Sequence, residues 1–238
     1  MLSLRRNGRV AIPGYDAVIL ARFRRTRSFE AKVGAVAAWL RIGELAAREV
    51  HCEPFDKEGL RNSLDELRSL TLLPSEEFAQ RLVSICARNG VAVVIVPEIR
   101  GSRAYGATRW LTPSKAVVQL SLRYKSDDQF WFTFFHEMAH VLLHGKQDVR
   151  LEGDIAGNPE DPQEDEANNF SRDVLIPSDR HHKLGSIKSI PDAERFARNI
   201  GIAPGVVVGR LQHEKKWRHS WGNHLKRKVD LASDFQNG

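Results

Sequence analysis

Gln129-Phe130-Trp131-Phe132-Thr133-Phe134-Phe135-His136-Glu137-Met138-Ala139-His140-Val141-Leu142-Leu143-His144 is the stretch on which the reading of this chain turns. It is strongly apolar and is followed by Gly145, the residue type expected just past a helix C-terminus, so it predicts a helix packed inside the protein. His136 and His140 lie four positions apart, so on a helix both imidazoles project from one face and can bind one Zn²⁺. Uncoordinated imidazoles and a lone carboxylate would be costly to bury beside the Phe130-to-Phe135 run, which favours a metal over two satisfied core histidines.

A catalytic zinc takes three protein ligands and keeps one position open, so another acid or histidine is required. Glu164 opens a second predicted helix, and Asn168 follows one turn later on the same face, placed to hydrogen-bond a ligand histidine. Glu166 is the rival ligand, but it projects about 200° around the helix from Glu164. Glu137, next to the first histidine, is placed to accept a proton from a metal-activated water and return it to the departing amine. This is the arrangement that peptide hydrolysis requires. An extended pattern with Gly at 143 and His at 146 is excluded by Leu143 and Lys146. His144 could approach the site or simply finish the helix, and His181, His182, Tyr105 and Tyr124 are candidate oxyanion donors.

Working outward, apolar spacing predicts helices over Phe29 to Val50, capped by Ser28, over Lys57 to Leu67, and from Ser75 to the stop at Asn89-Gly90. Val91 to Pro97 and Lys115 to Leu122 read as strands of a small antiparallel or mixed sheet, separated by the Gly-rich, aromatic stretch Gly101 to Trp110. Lys115 to Leu122 is the edge expected to receive an extended peptide. Lys146 to Gln163 reads as an acidic loop able to gate access, Glu164 to Leu175 as a helix, and Pro191 to Gly201 with Pro204 to Gln212 as a short helical pair. The expected fold class is α+β, divided into a basic N-terminal segment (1–28), a zinc peptidase domain (29–190), the C-terminal helical pair (191–216) and a polar tail (217–238).

Composition sets the bounds. Among 238 residues, 42% are hydrophobic and 28% charged, the balance of a soluble globular protein rather than a disordered one. No apolar run reaches the ~18 residues of a membrane span, and the N-terminus lacks a signal-peptide core, so a cytoplasmic protein with no membrane partner is expected. Cys52 and Cys86 form neither a CxxC nor a disulfide framework. The net charge of +6 is segregated, with seven arginines against one acid between Arg5 and Arg27. That charge, with Phe196-Ala197-Arg198-Asn199-Ile200-Gly201-Ile202-Ala203-Pro204, keeps a DNA-binding regulator open as an alternative. A non-catalytic zinc sensor or scaffold is the other alternative, although a closed structural site has no need of Glu137.

The segment Phe134 to His144, followed by Glu164-Asp165-Glu166-Ala167-Asn168-Asn169-Phe170 and Leu175-Ile176-Pro177, resembles the ImmA/IrrE family of metallopeptidases. The similarity runs from about Phe29 through Gly106-Ala107-Thr108-Arg109-Trp110 to Arg210-Leu211-Gln212-His213. The resemblance implies a cytoplasmic, gluzincin-like peptidase core in which His136, His140 and Glu164 hold zinc and Glu137 is the general base. It also implies a helix-turn-helix repressor or antitoxin as substrate, whose cleavage derepresses genes of toxin systems or stress responses. Larger relatives carry an Xre-like helix-turn-helix before the peptidase, and Met1 to Arg27 has no pattern for one. The expectation is a stand-alone peptidase acting on a separate repressor, or a partner domain on another chain.

Overall fold

The two valine-rich runs pair with each other as parallel strands, Val93 opposite Val118. The computed structural model describes residues 33–121, 125–145, 150–153 and 161–230. In chain order, α1 (Val33–Glu49), α2 (Lys57–Asn62), α3 (Leu64–Ser69) and α4 (Ser75–Ala87) precede β1 (Val91–Ile95), β2 (Ala104–Thr112) and β3 (Lys115–Leu120). There follow α5 (Asp127–Leu143), β4 (Arg150–Gly153), α6 (Pro162–Leu175), α7 (His181–Leu184), α8 (Ile190–Ile200) and α9 (Pro204–His213). The sheet order is β1-β3-β2-β4, with β2 antiparallel to both of its neighbours. The fold is therefore α+β with a mixed sheet.

Alternation along the strands explains why their apolar runs are unbroken. Successive side chains point to opposite faces. Val91 and Val93 join the main core with α4 and α5, whereas Ala92, Val94 and Val117 pack with Ala47 of α1 on the other face. Helices cover both faces, so neither needs a polar row. The approach of α1 is close. A Cβ on Gly43 would sit 1.9 Å from Gln119 Oε1, and Gln119 Nε2 donates to the Trp39 carbonyl at 2.7 Å. Arg109 Nη2 reaches the Leu40 carbonyl at 2.7 Å, so the polar groups under α1 are bonded rather than stranded.

From Phe130 to Leu142 every residue of α5 except Phe132 is buried. A helix apolar on all sides belongs in the interior, and α5 lies there, packed against β2 and β3 as well as α6 and α9. This places its histidines at the junction of the sheet and the second helix layer.

Several expectations need correction. Lys115 to Leu122 is not an edge, because β3 lies between β1 and β2. Only Pro113-Ser114 separates β2 from β3, which forces a hairpin on one side of β3, while β1 takes the other. The stretch read as a spacer is mostly β2, and β4 interrupts the predicted acidic loop. The single helix expected over Lys57 to Leu67 breaks at Ser63, whose hydroxyl bonds the Gly59 carbonyl at 2.8 Å. The segment expected as a polar tail packs against the rest of the protein as far as Val229. Trp217 and Val229 are buried, and Ser126 bridges to Lys228. The basic segment 1–28 and the end of the chain from 231 lie outside the described residues. Among the described residues no helix is long and apolar enough to cross a membrane.

Candidate metal centre

The start of α6 positions one side of the centre. Asp161 caps α6 by accepting from the Gln163 amide at 3.0 Å, and Pro162 occupies the first turn. Glu164 and Asp165 then fall where the positive end of the helix dipole favours carboxylates. Small buried residues on the inner face of α6 bring it close to α5: Ala167 is fully buried, and the Ser171 hydroxyl donates to the Phe132 carbonyl at 2.8 Å.

Glu164 consequently faces the histidines. Its Oε2 is 3.2 Å from His136 Nε2, its Oε1 is 3.5 Å from His140 Nε2, and the two Nε2 atoms are 3.1 Å apart. One nitrogen from each histidine and one oxygen of Glu164 lie within 4.8 Å of one another, so the three could hold a metal ion. Bonds of ~2.05 Å at tetrahedral angles put zinc ligands about 3.3 Å apart, so these separations fit the ion. His136 Nδ1 lies 3.1 Å from Asn168 Oδ1, which fixes that nitrogen as the donor and leaves Nε2 its lone pair. Glu166 does not join the cluster. It is 62% exposed, and its Oε2 reaches His144 Nε2 at 3.0 Å, as the 200° helix phase requires.

Glu137 is fully buried on the side of α5 that faces β2. The Thr108 hydroxyl binds its Oε2 and lies 3.1 Å from its carbonyl oxygen. Gly106 makes the room: a Cβ there would lie 2.4 Å from Glu137 Oε1. Neither Gly106 nor Thr108 stood out as a site residue in the sequence. Both lie in the stretch similar to the metallopeptidases, but no local spacing ties them to Glu137.

The other candidates are dispersed. His181 Nε2 bonds the Ile176 carbonyl at 2.7 Å, and His182 is exposed. Tyr124 lies outside the described residues. Tyr105 lines a cavity of about 250 Å³ walled by Phe132, Leu175, Ile176 and Val206. Phe132 also contacts His136, with ring centroids 6.3 Å apart, so this cavity adjoins the metal centre.

At the start of α5 the buried pair Asp127 and Asp128 meets Arg227 (3.4 Å) and Lys226 (2.6 Å). Burial, reinforced by Asp128, pushes Asp127 up to about 6 against the pull of Arg227. A folded-state value above the ordinary 3.8 means that the folded chain holds this proton more tightly. The resulting stability is fully present below about 3.8 and is lost as pH rises through about 6. Relative to Asp127→Asn, the wild type is expected to lose on the order of 2–3 kcal/mol between pH 4 and pH 7. Urea unfolding of both proteins across that range checks this, and parallel profiles would exclude it.

Residues 93–212 match the family model described as the IrrE N-terminal-like domain, Peptidase_M78. The chain belongs to this peptidase family. The match runs from within β1 to near the end of α9 and takes in both metal-facing helices of this IrrE N-terminal-like peptidase. It leaves out α1, which covers the far face of the sheet, and the packed segment after α9. No curated protein matches the chain in sequence.

Proposed function

We propose that the chain is a zinc-dependent endopeptidase that acts in the cytoplasm on a helix-turn-helix repressor or antitoxin. The observation that carries the catalytic reading is the convergence of His136 Nε2, His140 Nε2 and a Glu164 oxygen at separations suited to tetrahedral zinc. Zinc held there supplies Lewis acidity and acidifies water towards neutral pH. His136, His140 and Glu164 hold the ion, and Asn168 keeps His136 in the tautomer that offers Nε2. Glu137 takes the proton of the attacking water and hands it to the leaving amine. Its burial against Thr108 holds the carboxylate in one orientation, which is what proton transfer within a short reach needs.

Family membership supports peptidase chemistry, and the resemblance to ImmA/IrrE proteins supports the repressor or antitoxin as substrate. Both described cysteines are free, in keeping with a reducing compartment. The DNA-binding alternative loses ground because Val206, Val207, Val208 and Leu211 of α9 are buried and the helix packs on α5, leaving it poorly placed as a recognition helix.

The test combines metal analysis of the wild type and His140→Ala with cleavage of helix-turn-helix repressors encoded nearby. Stoichiometric zinc in the wild type, its loss in the variant and cutting by the wild type alone are expected. A wild type without zinc overturns the catalytic reading. Zinc with no repressor cut, while a generic unfolded peptide is cut, overturns the substrate assignment.

A further inference from the structure

Behind His140 stands a line of two further side chains. His140 Nδ1 lies 2.8 Å from His144 Nδ1, and His144 Nε2 lies 3.0 Å from Glu166 Oε2. His144 is buried at 8% exposure and caps the C-terminal end of α5, four positions beyond His140. Glu166 reaches it from the flank of α6.

The chemistry of the groups sets the direction of every hydrogen in this line. A His140 that offers the Nε2 lone pair to the cluster carries its proton on Nδ1, where it can only donate. His144 Nδ1 must then accept, which puts the His144 proton on Nε2, facing Glu166. An ionised carboxylate only accepts, so the line ends there with each contact holding one donor and one acceptor. We propose that His144 and Glu166 are positioning residues that lock His140 in the Nδ1–H tautomer and strengthen Nε2 as a metal ligand. The proposal rests on the metal-centre reading above.

This assigns both acids of the Glu164-Asp165-Glu166 stretch that compete for the site. Two positions apart on a helix, they diverge by about 200°, so one carboxylate enters the cluster and the other braces it from outside. The two histidine ligands become unequal. His136 leans on the neutral amide oxygen of Asn168, whereas His140 is backed through an imidazole by a negative charge. Charge-backed ligand histidines bind metal more tightly, and loss of such a partner typically costs about 10- to 100-fold in metal affinity.

The experiment titrates the metal-free full-length protein with zinc in competition with a chromophoric chelator. It also records the imidazole N–H signals of the same samples by ¹⁵N-histidine NMR. His144→Phe, which keeps ring volume but cannot accept, is expected to weaken zinc about 10- to 100-fold and to abolish the slowly exchanging Nδ1–H signal of His140. His144→Gln can both accept and donate and is expected to recover most of the affinity. Glu166→Gln is expected to fall between wild type and His144→Phe. Zinc binding by His144→Phe within twofold of wild type overturns the proposal, and so does a His144→Gln as weak as His144→Phe, which would mark a packing role. Should His144→Phe not fold, the exposed Glu166→Gln decides, unchanged affinity counting against the proposal. If the wild type takes up no zinc, the metal reading fails, and the NMR signal alone decides the relay: its presence upholds the relay, and its absence overturns it.

Discussion

Glu137→Gln is expected to keep stoichiometric zinc and to lose about 10²- to 10⁴-fold in peptide cleavage. The substitution is nearly isosteric, and the residue lies outside the trio of metal-facing side chains, so the ligand geometry survives it. The Thr108 hydroxyl, which now bonds Glu137 Oε2, can bond an amide in the same place, so the fold has little reason to change. What disappears is the basic oxygen, because an amide cannot take a proton from water at neutral pH. Removing a positioned general base in this way lowers kcat while leaving substrate affinity largely intact. Steady-state kinetics on a cleavable peptide, paired with metal analysis, separates the outcomes. Undiminished cleavage would end the assignment of Glu137 as base, and loss of zinc would mean that this carboxylate supports the ligand cluster instead.

How much of this centre could be read from the sequence depends on the distance over which each relationship acts. His136 and His140 lie four positions apart on one helix, so spacing alone reveals that they converge. Glu164 and Asn168, which both face His136, were legible for the same reason, since they sit one turn apart on a single helix. The contact of Glu166 with His144 was half visible: helix phase showed that Glu166 turns away from Glu164, but not that His144 lies there. The clamp at the start of α5 joins Asp127 to Arg227 across 100 positions of chain, a separation at which periodicity carries no information. Strand order was hidden in the same way. Lys115 to Leu122 carries the alternation of a half-buried strand, but whether such a strand lies at an edge depends on what pairs with it. For β3 that is the parallel β1 as well as the hairpin partner β2. The stretch Gly101 to Trp110 misled for a physical reason: glycine and arginine weaken a strand signal, while here Gly106 makes room for the Glu137 side chain and Arg109 bonds α1.

That hidden role of Gly106 yields the second large effect. Gly106→Ala is expected to lower kcat by about 10²-fold while zinc stays bound. The added Cβ would lie 2.4 Å from Glu137 Oε1, 2.8 Å from Cγ and 2.9 Å from Cδ, closer than real contacts allow. Strand β2 cannot retreat, because Gly106 pairs with Leu120 on one side and Glu152 on the other. Helix α5 is equally confined, being packed against the sheet as well as α6 and α9. The Glu137 side chain must therefore turn aside, giving up its place beside Thr108. Displacement of a catalytic group by about 1 Å is enough for a loss of this size, and the overpacking itself costs about 1–3 kcal/mol of stability. A double-mutant cycle tests the cause. If Gly106→Ala acts through Glu137, adding it to Glu137→Gln leaves kcat where Glu137→Gln alone had put it, since the base is already gone. Independent multiplication of the two losses, or a fully active Gly106→Ala, would show that β2 does not aim the base.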